Sequence, residues 1–334
     1  MNYMNYILIA CGILVLCIYF YALLHLPNEQ RTKMTLSPES EKEFLIMGQF
    51  NYNLTSNNIS TWIDSWSKVI EPKNIIMAMP DCDSHDYPKM NPAGYLCYKS
   101  DSGFYSPYIN IAKVLKSSDA NGILYIHDDM LITSSLRKRL GKSDWVITPD
   151  FNSQSHDVIK IYKNGTISTN NTKMYWYHWN SPYTVGTTSH AGCKRTFIEI
   201  MNDPDVSEFL HQSSNENAFI NVQFGQSDFL YSYFHNNQQK EYFIDILGLF
   251  AKHKLFLECA IPTAVVMMKE KFGVKIYDSN LCTSWDYDGV RSDPDRLIQN
   301  CKNEKDHGHY EAYHPVKLSK DNNWSSYFEK IYHL

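Results

Sequence analysis

The chain has 334 residues, a net charge of −5 and no basic block, so its electrostatics exclude nucleic acid as an evident partner. With a terminal apolar segment set aside, about 300 residues remain, enough for one large α/β domain or two smaller ones. Aromatic residues make up 14%, with 24 tyrosines, which suits a carbohydrate-facing cleft and equally an ordinary Tyr-rich surface.

Residues 1–6 form a short tail, and residues 7–26 carry no Asp, Glu, Lys or Arg before Pro27. A bilayer-spanning helix needs about 20 apolar residues, more than the apolar part of most signal peptides supplies. The segment predicts an uncleaved signal anchor, with a cleaved signal peptide as the alternative. Arg31 and Lys33 follow the span and no Lys or Arg precedes it, which by the positive-inside rule places the rest of the chain in the cytosol. Two features oppose that orientation. Sequons occur at Asn53, Asn58, Asn164, Asn170 and Asn323. Beyond the span, Cys82, Cys97, Cys193, Cys259, Cys282 and Cys301 show no C-x-x-C metal spacing and fit disulfides in an oxidising lumen, with buried free thiols as the alternative. Cys82 with Cys97 and Cys282 with Cys301 are the expected local pairs. The resulting layout is a type II membrane protein: tail 1–6, anchor 7–26, polar stem 27–43 and lumenal domain 44–334.

Phe44–Phe50 is an apolar run suited to a buried strand. Ile59, Trp62, Ile63, Trp66, Val69 and Ile70 recur at helical spacing, with Asn58 as candidate N-cap. Asn74–Met79 predicts a second buried strand, ended by Pro80, and strand–helix–strand implies a parallel sheet. Residues 81–101 read as irregular, with Asp81, Asp83 and Asp86 close to His85. They offer a rival metal site inside a Pro-rich stretch that two cysteines flank. Pro107–Lys116 predicts a helix. The turn at Asn121-Gly122 then opens the run Ile123–Ile126, which stops at His127-Asp128-Asp129 at the end of the third strand of a βαβαβ series.

Asp144–Thr148 reads as a strand, Asn164-Gly165 as a hairpin turn, and Tyr175–Trp179 as an aromatic cluster that either packs in a core or stacks on a ligand ring. Cys193–Met201 predicts a helix. Ser227 or Asp228 reads as the start of a helix running to Phe234, with Asp228 as its cap or as a catalytic carboxylate. Helices are expected over Ile244–Phe250, Phe256–Met268, Asp293–Cys301 and Ser325–Tyr332, and a strand over Val274–Tyr277. Glu258, among apolar neighbours, is a core acid paired to a lysine or a site residue.

Carboxylates at the C-terminal end of a buried strand lie where open α/β sheets bind ligands. Two adjacent ones repel unless a positive charge joins them, and a divalent cation is the usual solution. A nucleoside diphosphate leaves easily only when its charge is neutralised by Mg²⁺ or Mn²⁺, or by Lys and Arg. Asp129 is the candidate metal ligand, with Asp128 orienting a ribose hydroxyl or sharing the ion. In the late segment His314-Pro-Val-Lys317, His314 is a further ligand candidate and Lys317 a diphosphate contact.

The apolar strand ending in His127-Asp128-Asp129, with Gly225-Gln-Ser-Asp228 and His314-Pro-Val-Lys317 far downstream, resembles the layout of single-pass Golgi glycosyltransferases of the GT-A fold. More narrowly it is similar to the exostosin-like or STELLO-like groups. The resemblance covers Phe44–Lys317 as scattered motifs, and His127 replaces the first acid of the usual D-x-D. It implies a GT-A-like α/β domain with a mixed sheet, and transfer of a sugar from a UDP- or GDP-sugar to a hydroxyl of a lumenal glycan or glycoprotein. In that reading Asp129 and His314 hold Mn²⁺ or Mg²⁺, Asp128 assists, Lys317 neutralises diphosphate, and Asp228 is the base of an inverting reaction. Two other readings stand beside it. One is a non-catalytic Golgi protein of the same fold that scaffolds or binds a sugar nucleotide. The other is a metal-dependent lumenal hydrolase built from Asp81, Asp83 and His85 with Asp128 and Asp129.

Overall fold

The apolar run after Phe44 forms β1 (Leu45–Gln49), every residue of which is buried. The computed structural model that contains it describes residues 44–83, 89–90, 95–100, 106–140, 144–147, 159–169, 179, 192–211, 217–225, 227–283, 293–303, 310–318 and 323–333. Residues 1–43, the expected tail, anchor and stem, lie outside that set, as do His85, Asp86, Asn170 and residues 175–178. Among the described residues, no helix is long and apolar enough to cross a membrane.

After β1 comes α1 (Ser56–Trp66), then β2 (Ile75–Met79). The cap of α1 is Thr55, whose hydroxyl accepts from the Asn58 N–H at 3.2 Å, so the expected cap at Asn58 gives way to an earlier start. The segment read as irregular holds two short strands, β3 (Lys89–Met90) and β4 (Leu96–Lys99). The Cys82–Cys97 disulfide ties the end of β2 to β4. Helix α2 (Ser106–Lys116) then leads into β5 (Gly122–His127). Because β4 pairs parallel with β2, β5 is the fourth parallel strand of this half, not the third.

The remainder alternates short elements. They are β6 (Leu131–Ile132), α3 (Ser134–Leu140), β7 (Trp145–Ile147), the hairpin β8 (Ile159–Tyr162) and β9 (Ile167–Thr169), and α4 (Cys193–Met201). Gly165 takes the left-handed conformation (φ 81°) in the hairpin turn, as Asn164-Gly165 predicts. Next come β10 (Phe219–Val222), β11 (Phe229–Tyr233), α5 (Asn237–Lys252) and α6 (Leu257–Phe272). The chain continues with β12 (Ile276–Asp278), β13 (Leu281–Thr283), α7 (Pro294–Asn303), β14 (Ala312–His314) and α8 (Trp324–Tyr332). The Cys282–Cys301 bridge joins β13 to α7.

The result is a mixed α/β protein whose main sheet has the order β12-β7-β11-β5-β1-β2-β4-β3. Its strands are parallel except β3 and β11. The predicted helix at 228–234 is therefore replaced by a strand. Phe229, Tyr231 and Tyr233 alternate with Leu230 and Ser232, a period of two that fills the ladder between β5 and β7, and this outweighs the Ser-Asp start signal. Two smaller sheets, β10-β8-β9 and β13-β14-β6, complete the described strands.

Successive strand residues face opposite sides, so helices cover both. On one side Ile46, Phe50, Met77, Leu124 and Ile126 share a core with Trp62 and Trp66 of α1 and with Trp324, Phe328 and Ile331 of α8. On the other, Trp145 packs edge-on against Phe243 of α5 with ring centroids 5.2 Å apart, and the Tyr108 hydroxyl of α2 donates to the Leu255 carbonyl at 2.6 Å. Burying each such large side chain contributes about 1.5–3 kcal/mol.

Gly48 makes the first core possible. A Cβ there would lie 2.5 Å from Cζ2 of Trp62, so only glycine lets the indole lie against the strand. Gly48→Ala should lower stability by about 1–3 kcal/mol through overpacking, seen as an earlier urea midpoint with an unchanged slope. An unmoved midpoint would show that Trp62 is free to yield.

Candidate functional site

Strand order locates the site before any side chain is considered. The chain steps outward from β1 to β2 to β4, then returns to the opposite flank of β1 as β5. The order reverses between β1 and β5, and ligands of open α/β sheets bind at the carboxyl ends of strands at such a switch point. Gln49 and His127, the last residues of the two strands, are in register there. Beyond them lie Tyr52 and the turn Asp128-Asp129.

Strand β11 brings a residue from its amino end to the same edge because it runs antiparallel to β5. Phe229 pairs with Ile126, and the His127 N–H donates to the Asp228 carbonyl at 2.8 Å, extending the ladder by one residue. Asp228 therefore sits beside the turn through strand pairing, not through a helix cap. The late segment arrives through the third sheet. Tyr313 pairs with Leu131 and Ala312 with Ile132, and the Val316 N–H donates to the Asp129 carbonyl at 2.7 Å. His314 is thereby held against the acids.

Asp128 and Asp129 are both buried, as is His314. His127 Nδ1 lies 3.1 Å from Asp128 Oδ1 and 3.6 Å from Asp129 Oδ1. His314 Nε2 lies 3.5 Å from Asp129 Oδ1 and 3.8 Å from Asp228 Oδ1. The Tyr52 hydroxyl donates to Asp128 Oδ2, and the Lys317 ammonium sits over the Tyr52 ring, 5.9 Å from its centroid. All five residues singled out from the sequence, Asp128, Asp129, Asp228, His314 and Lys317, thus belong to one neighbourhood.

The charges interlock. Burial alone would raise the Asp129 carboxyl, but hydrogen bonds with His127 and His314 outweigh it and hold that carboxyl well below its usual range. Burial alone would lower His127, yet its hydrogen bonds to Asp128 and Asp129 carry it well above the ordinary imidazole value. His314 is also raised: Asp228 and Asp129 overcome the cost of its burial. Protons on two imidazoles hold the carboxylates together here, a role that a divalent cation can take over by displacing a proton.

The donor set fits such a cation. Asp129, Asp228 and His314 each offer one ligand atom, and these atoms lie within 4.8 Å of one another. Two carboxylates and an imidazole form a set that would suit Mn²⁺ or Mg²⁺. The fully buried Tyr125 of β5 gives an independent indication. Among the described residues its hydroxyl has no hydrogen-bond partner, and burial followed by Asp228, Asp129 and Asp128 pushes it well above its usual value. A polar atom without a partner in the field of three acids is a place for a bound group to be received. His127, Asp128 and Asp129 form a second set able to hold a cation.

Asp81 and Asp83 belong to neither set among the described residues and are exposed. Glu258 does belong near the site. It stands in the first turn of α6, largely buried, with its carboxyl pushed up to about 7 by burial and then by Asp228. No lysine pairs with it among the causes of that shift, so the lysine-paired alternative for this residue lacks support. Tyr52 and Tyr125 were not evident from the sequence. Tyr125 reads as one more apolar residue of a buried strand, and Tyr52 carries a signal only once β1 and β5 are known to be neighbours.

No protein-family model matches the chain, and no curated protein matches it in sequence.

The raised Glu258 carboxyl has a defined pH signature. Below about pH 4.5 both folded and unfolded states hold the proton. As pH rises toward 7 only the unfolded state ionises, so stability falls, and above 7 the loss is complete at about 3 kcal/mol. In chelated protein, Glu258→Gln should remove that loss. The variant should gain on the wild type between pH 5 and 8 in denaturant titrations, and parallel pH curves for the two proteins would refute the assignment.

Proposed function

We propose that the chain is a glycosyltransferase with a GT-A-like, nucleotide-sugar-binding sheet. It moves a sugar from a UDP- or GDP-sugar to a hydroxyl of a lumenal glycan or glycoprotein. The observation that carries this reading is the convergence of Asp128-Asp129, Asp228 and His314, from three distant parts of the chain, on the switch point between β1 and β5. Asp129, Asp228 and His314 would hold Mn²⁺ or Mg²⁺, which supplies neutralising charge for the departing diphosphate.

The other residues divide the remaining work. Asp128, oriented by Tyr52 and His127, presents a fixed carboxylate to a ribose hydroxyl. Lys317, over the Tyr52 ring, adds positive charge on the diphosphate side. Asp228, the base suggested by the sequence, lies 3.8 Å from His314 within the cation set, and we place it among the ligands. The base role passes to Glu258, whose carboxyl titrates near neutral pH and stands next to the same group. In an inverting reaction the acceptor oxygen forms its bond to the anomeric carbon as the bond from that carbon to the diphosphate oxygen breaks. The acceptor proton passes to Glu258.

A lumenal Golgi location accords with the expected anchor, with the two disulfides, and with exposed sequon residues Asn53, Asn164 and Asn323.

The test is a thermal-shift panel of the full chain with UDP-, GDP- and CMP-sugars, with and without Mn²⁺, followed by transfer assays. One nucleotide should stabilise the protein only when Mn²⁺ is present. Asp129→Asn and Asp228→Asn should abolish that coupling and lower transfer by about 100-fold or more without preventing secretion. Normal turnover by Asp129→Asn would refute the proposal. Stabilisation by metal alone, with cleavage of a phosphoester or glycoside, would identify a hydrolase. Nucleotide-dependent stabilisation without transfer would identify a binding protein.

A further inference from the structure

The sequence leaves its five sequons equivalent, but the fold separates them. Asn58 stands inside α1 and is half-buried, and the Ser60 hydroxyl of that sequon donates to Asp64 at 3.3 Å. The Thr55 hydroxyl of the Asn53 sequon is engaged as the cap of α1. Asn323 stands at the cap position of α8, and the next residue of its sequon, Trp324, is buried in the core. Asn170 lies outside the described residues. Asn164-Gly165-Thr166 is different. It forms the tip of the hairpin between β8 and β9, and Asn164 and Thr166 are both exposed. The backbone holds this turn: the Gly165 N–H donates to the Tyr162 carbonyl at 2.8 Å, and the Tyr162 N–H to the Thr166 carbonyl at 2.9 Å. The Asn164 side chain adds one bond, its Oδ1 accepting from the Thr166 N–H at 2.9 Å. That bond fixes the amide by its oxygen and leaves Nδ2 without a hydrogen bond among the described residues. Space is available as well, because a Cβ placed on Gly165 would meet nothing within 4 Å.

We propose that Asn164 is an N-glycosylation site, with an oligosaccharide carried on its Nδ2. The donor is an oligosaccharide linked to a lipid diphosphate, used by the lumenal enzyme that reads Asn-x-Ser/Thr. A C–N bond forms between Nδ2 and the anomeric carbon of the first sugar as the bond from that carbon to the diphosphate oxygen breaks. The lipid diphosphate leaves, and the amide nitrogen gives up one proton and keeps the other. Because the sugar joins the nitrogen, Oδ1 still accepts from the Thr166 N–H, and the turn keeps its side-chain bond. The exposed tip carries the bulk in solvent, so the glycan displaces no part of the core. The site rests on the lumenal placement proposed above and is independent of whether the chain itself transfers sugar.

The experiment is peptide mapping of the full chain expressed through a secretory route. The digest is treated with peptide N-glycosidase in heavy-oxygen water, which turns a glycan-bearing Asn into Asp marked with the heavy oxygen. The mark is expected at position 164. Thr166→Val supplies a second readout: it removes the sequon's hydroxyl but keeps the backbone N–H that bonds Asn164 Oδ1. The variant should be secreted and should lose the mark at 164, and a mark that persists there would overturn the assignment. Maps of the unreduced protein also read the 82–97 and 282–301 bridges, which report the compartment. Both bridges formed with Asn164 unmarked would overturn the glycan alone and leave the lumenal placement standing. Both pairs reduced, with every sequon unmarked, would overturn the lumenal placement and the glycan with it.

Discussion

The site depends on one backbone hydrogen bond, from the N–H of His127 to the carbonyl of Asp228. It is the last rung of a ladder between strands that run in opposite directions. In a purely parallel sheet, the residue before one strand and the residue after its neighbour lie at opposite edges, many ångströms apart. By running antiparallel between β5 and β7, β11 turns that relation around. The start of one strand then meets the end of another, and Asp228 meets His127-Asp128-Asp129. The same logic recurs on a smaller scale in the pairing of β14 with β6, which sets His314 beside Asp129. Backbone pairing thus does most of the positioning, and the side chains need only short reaches.

The acids gathered this way would repel one another in a dry setting. Two imidazoles, drawn toward them from β5 and β14, offset the repulsion. The arrangement is held by protons and is open to replacement by a cation, and its electrostatics change with whichever is bound. Glu258 lies just outside this balance. It meets the burial and the negative field of Asp228 without an imidazole in hydrogen-bonding contact, and it keeps its proton to near neutral pH. One neighbourhood thus holds two kinds of carboxyl, Asp129 held ionised by its imidazoles and Glu258 held protonated by burial.

Much of this was legible in the sequence, for identifiable reasons. An uninterrupted apolar run stopped by two acids can hardly be anything but a buried strand with a charged end, and β5 is that strand. The local bridges Cys82–Cys97 and Cys282–Cys301 follow from short spacing in an even set. His314 and Lys317 were visible because imidazole and ammonium three residues apart form a chemically suggestive pair. Other features depended on contacts that only the folded chain makes. Phe229–Tyr233 carries both a helix start signal and a two-residue alternation, and the gap between β5 and β7 decides between them. Strand β4 is short and sits among prolines, so only its pairing with β2 reveals it. The hydrogen bond from Tyr52 to Asp128 joins distant segments, and no local pattern announces it.

The bond from the Val316 N–H to the Asp129 carbonyl bears on when the site comes into being. A chain emerging from the ribosome presents its acids early and the histidine that completes the cation set nearly two hundred residues later. Until the segment 310–318 has been made and has docked, the acidic turn lacks both its backbone clasp and the imidazole that lies beside Asp129. In the set of Asp129, Asp228 and His314 the imidazole is therefore the last member to be made, and that set is complete only once β14 has paired with β6.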